Sequence, residues 1–446
     1  MEVRTVALGS TTTPVAATAS PAVTRPRGGT LVHKYGGSSL ATCKLIRGVA
    51  ERLDRLHRAG RPMVVVVSAR GDTTDILLAM AAEISSRSAG RELDQLLATG
   101  ECASAALLAL ALQERGVPAI SLSGAQAGIK ATGQHGAGRI VSVDTDRVTR
   151  LCAEGRLVVL AGFQGVNTDG DVVTLGRGGS DTTAVALAAA LGVGHCEIYS
   201  DVDGVYTADP RVVARPCVLP AVDVDVMTEM SFAGAKVMHS RAVELAAVCG
   251  VAIHVGRSAT GEIGTVITRG GRAAMLETTS TVAAVVHDND VAHVDFRFPD
   301  DGSEALEEVF RLLARFAVPV DMVTVSRKLA GTARIGLTVR AGDVPLIGEA
   351  LGSLAVRRSG QVDVREDTGK VSIVGTGLLN RPENAATMLS CLTAAGIPVR
   401  SVSASQSRVC AAVPDADVPT AVRLLHERFG LGRGISPAAH GSTVPA

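Results

Sequence analysis

Thr174-Leu-Gly-Arg-Gly-Gly-Ser-Asp-Thr-Thr-Ala184 crowds three glycines, a guanidinium, a carboxylate and several hydroxyls just ahead of the Ala-rich run Val185–Leu191. Glycine lets backbone N–H groups approach an anion closely, and the first turn of a following helix adds partial positive charge. Arg177 can grip a carboxylate or phosphate bidentately. The stretch reads as a loop-to-helix junction built to hold an anionic small molecule. Taken alone it also fits a plain Gly-rich connection with a helix cap at Ser180.

The pattern on either side decides between the two. From Leu31 to about Ile267, short apolar strands alternate with helical stretches. Strands are expected at Leu31–Tyr35, Met63–Ser68, Ala119–Leu122, Leu157–Gly162, Cys196–Ser200 and Ala252–Val255, and helices include Leu93–Arg115 and Thr182–Leu191. This spacing predicts an α/β domain, a mostly parallel sheet sandwiched by helices. Ligands on such sheets bind beyond the carboxyl ends of the strands, where the Gly-rich motifs fall. After about residue 275 the character changes. Leu313-Ala-Arg-Phe-Ala-Val-Pro-Val-Asp-Met-Val-Thr-Val-Ser326 recurs 79 residues later as Leu392-Thr-Ala-Ala-Gly-Ile-Pro-Val-Arg-Ser-Val-Ser-Ala-Ser405, with Leu, Pro, Val, Val and Ser in register. Each copy follows a strand-like segment (Ala292–Phe298; Val371–Val374), which predicts two tandem modules. The expected boundary is Thr268–Thr281.

Composition narrows the function. A chain of 446 residues with zero net charge and 2% aromatics has neither the basic patch nor the stacking platform that nucleic acid requires. No apolar run approaches the ~18 residues that span a bilayer. Eight scattered cysteines without a CxxC pair fit reduced thiols in a cytoplasmic protein. Only six of the 44 basic residues are Lys, so a Lys beside a Gly-rich turn stands out. Residues 1–29 and 434–446 read as tails; the first, with Arg4, Arg25 and Arg27, looks only faintly like a transit peptide.

Leu31-Val-His-Lys-Tyr-Gly-Gly-Ser-Ser39 runs a strand into a Gly-Gly turn, where Gly36 and Gly37 can offer backbone donors and Lys34 a point charge. It lacks the order of a P-loop. Ser68-Ala-Arg-Gly-Asp-Thr-Thr-Asp75 follows a strand; its threonines either meet a carboxylate or cap a helix starting near Asp75. Thr99-Gly-Glu101 interrupts a helical pattern and places a carboxylate at the expected start of the next helix. That suits an ammonium group or the helix dipole alone. Tyr199-Ser-Asp-Val-Asp-Gly-Val-Tyr-Thr-Ala-Asp-Pro-Arg211 and Lys236 add groups that suit a nucleotide. Phosphoryl transfer needs positive charge and oriented N–H groups around a moving phosphate, and little covalent chemistry from the protein. No triad or metal-ligand cluster competes, and His135, His239 and His254 read as structural.

These segments, Lys34–Ser39, Val66–Asp75, Thr99–Glu101, Gly176–Ala184 and Glu197–Tyr206, resemble the ordered motif series of aspartate kinases, over roughly residues 31–431. The resemblance implies an amino-acid-kinase catalytic domain (30–270) followed by two ACT modules of ferredoxin-like α+β type (281–366 and 367–433). It implies phosphorylation of the side-chain carboxylate of L-aspartate by ATP with Mg2+. By position, Lys34, Gly36 and Gly37 meet the transferring phosphoryl group and Asp181 orients the reaction centre. Arg177 takes the substrate α-carboxylate, Glu101 its ammonium, and Thr74 and Ser180 complete that pocket. Tyr35, Ser200, Asp201, Tyr206, Arg211, Lys236 and Val237 surround the nucleotide. No protein ligand to the metal is implied, since nucleotide phosphates and water hold Mg2+. A homodimer or higher homo-oligomer through the ACT modules is expected.

The departures from the family pattern are Gly133 in Ala131–Gly136, the spacing of Asp300–Ser303, the absence of a Gln-Asn pair after Val320–Ser326, and Glu383 where a Pro-Gly turn is usual. A Glu side chain there obstructs an effector and opposes its carboxylate, so weak or absent feedback inhibition by lysine plus threonine is expected, the alternatives being an altered effector or an intact site that tolerates these substitutions. Two other readings remain: a kinase of the same fold for another acidic amino acid, and a non-catalytic amino-acid sensor.

Overall fold

The computed structural model describes residues 29–85, 90–270, 282–299, 302–327 and 332–433. The chain begins with β1 (Leu31–Tyr35), α1 (Cys43–Arg58), β2 (Met63–Val67), α2 (Thr73–Ile84) and α3 (Arg91–Gln113). Next come β3 (Ala119–Leu122), β4 (Ile129–Thr132), β5 (Arg139–Val143), α4 (Asp146–Ala153) and β6 (Leu157–Ala161). The pair β7 (Gln164–Val166) and β8 (Val172–Thr174) leads into α5 (Gly179–Ala190) and β9 (His195–Ser200). The region closes with β10 (Ala221–Asp223), α6 (Val224–Phe232), α7 (Ser240–Cys249), β11 (Ala252–Arg257) and β12 (Ile263–Thr268).

Aliphatic runs such as Met63–Val67 and Leu157–Ala161 are buried along their whole length, as strands covered on both faces must be. The large sheet has the order β10-β12-β11-β9-β1-β2-β6-β3, parallel from β11 to β3. Strand alternation divides its side chains between two cores. Val32, Val64, Val66 and Ile198 pack with Leu187, Met227 and Val243 of α5, α6 and α7. Leu31, Tyr35, Val65 and Tyr199 pack with Leu53 of α1 and Leu108 of α3. A small sheet, β5-β4-β7-β8, stands beside the large one.

Three expectations change. No break occurs at Thr99–Glu101, because α3 runs through it and Glu101 lies mid-helix. Gly100 serves packing instead: a Cβ there would sit 3.0 Å from the Ala69 Cβ. α3 is also long and apolar enough to cross a membrane, contrary to the sequence reading, yet half of its apolar window is buried inside the protein. It carries the buried acids Asp94 and Glu101, both bonded to protein groups, which marks a core helix. Finally, α2 starts at Thr73 rather than near Asp75, and Thr73 Oγ1 donates to the Arg70 carbonyl at 2.7 Å.

The second half is a repeat. β13 (Val282–Phe298), α8 (Ser303–Arg315), β14 (Asp321–Arg327), β15 (Ala333–Val339) and α9 (Val344–Arg357) form the first copy. β16 (Gln361–Gly375), α10 (Pro382–Ala394), β17 (Ser401–Ala404), β18 (Arg408–Pro414) and α11 (Val418–Arg428) form the second. The copies share one sheet, β14-β15-β13-β16-β18-β17. β13 and β16 extend well beyond the segments expected from sequence, because each supplies the other's ladder through polar stretches such as Asp288↔Lys370. Of the boundary expected at Thr268–Thr281, residues 271–281 lie outside the described residues, as do the tails 1–28 and 434–446. β13 is also tied to the first half: Val285 N donates to the Thr207 carbonyl at 2.8 Å, and Ala284 and Val286 join the core under α6 and α7.

Candidate active site

Lys34 lies one residue before the end of β1 and points to the α5 face of the sheet, opposite His33 and Tyr35. Its Nζ meets Asp181 Oδ1 at 2.5 Å, with both side chains about one-tenth exposed. Asp181 belongs to the first turn of α5, where Ser180, Thr182 and Thr183 are buried beside it. The helix is capped by Gly178 rather than by Ser180, at φ +69°, a conformation that favours glycine. A Cβ on Gly178 would lie 2.0 Å from the Cβ of His239. At the end of β6, a Cβ on Gly162 would lie 2.8 Å from Ser180 Oγ. Glycines thus allow the α5 N-terminus to press against the strand ends.

Beyond β1, Gly36 N donates to the Tyr199 carbonyl at 3.0 Å and Gly71 N to the Gly37 carbonyl at 3.0 Å. A Cβ on Gly37 would meet the Ala69 carbonyl at 2.5 Å, so three strand-end loops are bound together. Glu101 reaches the same loops from α3, accepting from Ala69 N at 3.0 Å through Oε1, while its buried Oε2 has no hydrogen-bond partner. Burial pushes its pKa from 4.5 up to about 7, against the opposing pull of the Ala69 N–H and the Lys34 charge.

Arg177 is exposed on the Gly-rich loop. Burial first, then the charges of Arg340, Arg241 and Arg177, hold the His239 pKa below its ordinary value despite Asp181. Arg177, Asp181 and His239 therefore share one electrostatic neighbourhood. On the other side, Ser38 Oγ donates to Asp201 Oδ1 at 3.1 Å, and the Asp201 charge acts on Arg211. Lys236 and Arg211 both act on His287 of β13, whose pKa burial lowers. Two clusters, Lys34/Asp181/Glu101/Ser180/Arg177 and Ser38/Asp201/Arg211/Lys236, are joined by the Lys34–Ser38 turn.

Other predicted residues are placed differently. The Tyr35 ring is fully buried and stacks on Tyr199 at 5.3 Å, so only its backbone can face a nucleotide. Tyr206 OH donates to Asp203 Oδ2 at 2.8 Å, and Arg211 Nη2 donates to Asp209 Oδ2 at 2.7 Å. Ser200 ends β9, with its carbonyl accepting from Ser258 N at 2.8 Å. Val237 packs against the α6/α7 core, and Thr74 is half-buried in the first turn of α2.

Sequence reasoning missed Asp94, which accepts from Thr174 N (2.8 Å), Thr174 Oγ1 (2.6 Å), Gly136 N (3.0 Å) and His135 Nδ1 (2.9 Å). It fixes the start of the Gly-rich loop. Its signal was available: Asp94, Leu97, Glu101 and Leu108 form one buried stripe at helical spacing. His135 is structural, as expected. His254, read the same way, stacks on His195 and lies beside Glu197, residues that the sequence separates from it by 59 and 57 positions.

This arrangement of cations, oriented N–H groups and a helix N-terminus at parallel strand ends belongs to enzymes that bind phosphates beside an acidic small molecule. Residues 29–257 match the amino acid kinase family, and residues 371–429 match an ACT domain. The aspartokinase of Mycolicibacterium smegmatis is 42% identical over 406 residues, covering 90% of this chain and 96% of that protein. That of Geobacillus stearothermophilus is 39% identical, covering 90% and 98%. The chain belongs to the aspartokinases of the amino acid kinase family. Among solved structures, E. coli aspartokinase III in complex with aspartate and ADP (R-state) shares the fold, with a TM-score of 0.74 at 24% identity over 90% of this chain and 99% of that one. Aspartate kinase from Synechocystis is 37% identical, with a TM-score of 0.50, over 90% and 70%.

Proposed function

We propose that this aspartokinase transfers the γ-phosphoryl group of ATP to the side-chain carboxylate of L-aspartate in the cleft between the β1 turn and the α5 N-terminus. The observation that carries the reading is the Lys34–Asp181 pair at 2.5 Å beside the buried Glu101. Glu101 receives the substrate ammonium on its unpartnered Oε2, and the Ala69 N–H, with a smaller pull from the Lys34 charge, favours the ionised carboxylate against burial. Arg177 takes the α-carboxylate, with Ser180 and Thr74 around it. That grip directs the side-chain carboxylate toward Lys34, which neutralises charge on the moving phosphoryl group, while Asp181 holds its ammonium in place. Gly36 and Gly37 let the backbone approach the phosphates. Ser200, Asp201, Tyr206, Arg211, Lys236, Val237 and the Tyr35 backbone surround the nucleotide.

Magnesium, when bound with the nucleotide, would supply positive charge that offsets the phosphates. The nearby carboxylates fit this division, since Asp181, Asp201, Asp203 and Asp209 each hold a cation or hydroxyl already, which leaves nucleotide phosphates and water as ligands. The test is an ATP-dependent hydroxamate assay with aspartate, glutamate and no substrate. Product with aspartate alone supports the reading. Preference for glutamate points to a different acidic substrate, and no product at all points to a sensor.

The first repeat, 281–366, is read as a second ACT module, on the strength of its shared element order. Glu383 is exposed in the first turn of α10, where a carboxylate suits the helix dipole and opposes an incoming effector carboxylate. Lysine plus threonine at millimolar concentration should therefore leave turnover nearly unchanged; abolished turnover would refute this. Self-association through the outer strands is supported by exposed Val323 and Val325 on β14 and Val402 on β17. Light scattering should then give a dimer or larger species.

A further inference from the structure

The large sheet carries a polar patch on its α1/α3 face. His195 and Glu197 are two residues apart on β9, and His254 on β11 lies in register with Glu197. Alternation puts all three on one face, while Cys196, Ile198, Ile253 and Val255 between them enter the opposite core. The His195 and His254 rings stack with centroids 4.7 Å apart. A ligand atom from each of the three residues lies within 4.8 Å of the others.

Two imidazoles and a carboxylate are the donor set of zinc-class transition ions, whereas Mg2+ and Ca2+ favour oxygen donors. The carboxylate is oriented by further groups, as ligating carboxylates are. His33 Nε2 lies 3.0 Å from Glu197 Oε2, and Tyr199 OH donates to the same oxygen at 2.5 Å. Glu197 and His254 are buried, at 1% and 8% exposure, so a bound cation would be held in a low-dielectric setting. His195 is half-buried at the first residue of β9 and gives the route from solvent.

We propose that His195, Glu197 and His254 form a binding site for one zinc-class divalent ion, separate from the phosphoryl-transfer cleft. Separation follows from the strands: Glu197 precedes Ser200 by three residues, and Lys34 leaves the sheet on the other face. The ion would clamp β9 to β11, and its effect would be on stability rather than on chemistry.

The test uses the full, tag-free chain, stripped with a chelator, free of nucleotide and held in excess Mg2+. Co2+ titration should produce visible d–d bands that Zn2+ removes, calorimetry should give one Zn2+ per chain, and Zn2+ should raise Tm. His195→Gln and His254→Gln should each weaken Zn2+ binding by more than the about 10–100-fold that loss of an outer-shell partner costs and abolish the Tm rise, with kinase turnover unchanged. Absence of zinc binding at micromolar concentration would overturn the proposal, as would binding that neither variant weakens. Should His254→Gln fail to fold, the half-exposed His195→Gln decides alone.

Discussion

Glu101 occupies a position where a charged carboxylate is costly, and that cost predicts a pH dependence. Its folded-state pKa of about 7 lies above the ordinary 4.5, so between those values the folded chain binds more protons than the unfolded one. Stability should therefore fall as pH rises from 4.5 toward 7 and level off above, by on the order of 3 kcal/mol. Glu101→Gln should flatten that slope in urea midpoints measured across the range. The same ionisation should govern substrate capture: KM for aspartate should rise about tenfold per pH unit below 7, and the Glu101→Gln variant should lose this dependence while binding aspartate weakly throughout. Lys34 is a second case. Lys34→Ala should lower kcat by about 10²–10³ or more. It also strands the Asp181 carboxylate, so stability should drop. Adding Asp181→Asn should restore stability in a thermal melt but not turnover, which separates the two roles.

At the scale of elements, the junction before α5 contains a glycine whose replacement is opposed by both backbone conformation and packing. Gly178 and Gly192 share nearly the same backbone, φ +69° and +67°, but only Gly178 faces an obstacle; around Gly192 nothing lies within 4 Å. Gly192→Ala should cost about 1–2 kcal/mol, the left-handed penalty alone. Gly178→Ala should cost clearly more in urea unfolding and should raise KM for aspartate, because His239 and the Arg177 loop must move. Such junctions were legible in the sequence, since glycine, hydroxyl and charge recur at each strand end, and the expected bounds of β1 and β3 coincide with those observed. The illegible parts depend on pairing between distant segments. A glycine that admits Ala69 looks like a helix break at Gly100, and polar stretches within β13 and β16 look like loops until each finds the other. His195 and His254 became neighbours only through the β9–β11 register. Asp94 was legible in principle from its place on a buried helical stripe, but an acid there reads as noise without the loop it holds.

Across the whole molecule, one ion-pair network connects both repeats to the kinase half. Asp321 on β14 accepts from Lys370 Nζ on β16 at 3.0 Å and from Arg408 Nη2 and Nη1 on β18 at 3.0 and 3.2 Å. Arg408 Nε reaches Glu229 Oε2 on α6 at 3.5 Å, and its guanidinium lies over Phe232 at 5.3 Å from the ring centroid. α6 leads directly into the loop bearing Lys236, whose Gly234 packs so closely on β13 that a Cβ would meet the His287 carbonyl at 2.2 Å. Burial alone would raise the Asp321 pKa; the charges of Lys370 and Arg408 outweigh it and hold the carboxyl below 3.8. Its contribution is therefore complete above 3.8 and disappears as pH falls through the lower folded value. Asp321→Ala takes the carboxylate from buried Lys370 and leaves Arg408 only its longer contact to Glu229, so it should cost about 3–5 kcal/mol. Replacing Asp321 and Lys370 together by Leu and Met should recover part of that loss, since matched apolar groups can substitute for a buried pair. Glu229→Gln touches only the more exposed rim and should cost under about 1 kcal/mol. If the network also sets the position of α6, Arg408→Met should raise KM for ATP more than KM for aspartate, because α6 leads into the loop bearing Lys236, which acts on His287 of β13 together with Arg211. Equal changes in both constants would reduce the network to a stabilising contact without influence on the nucleotide side of the cleft.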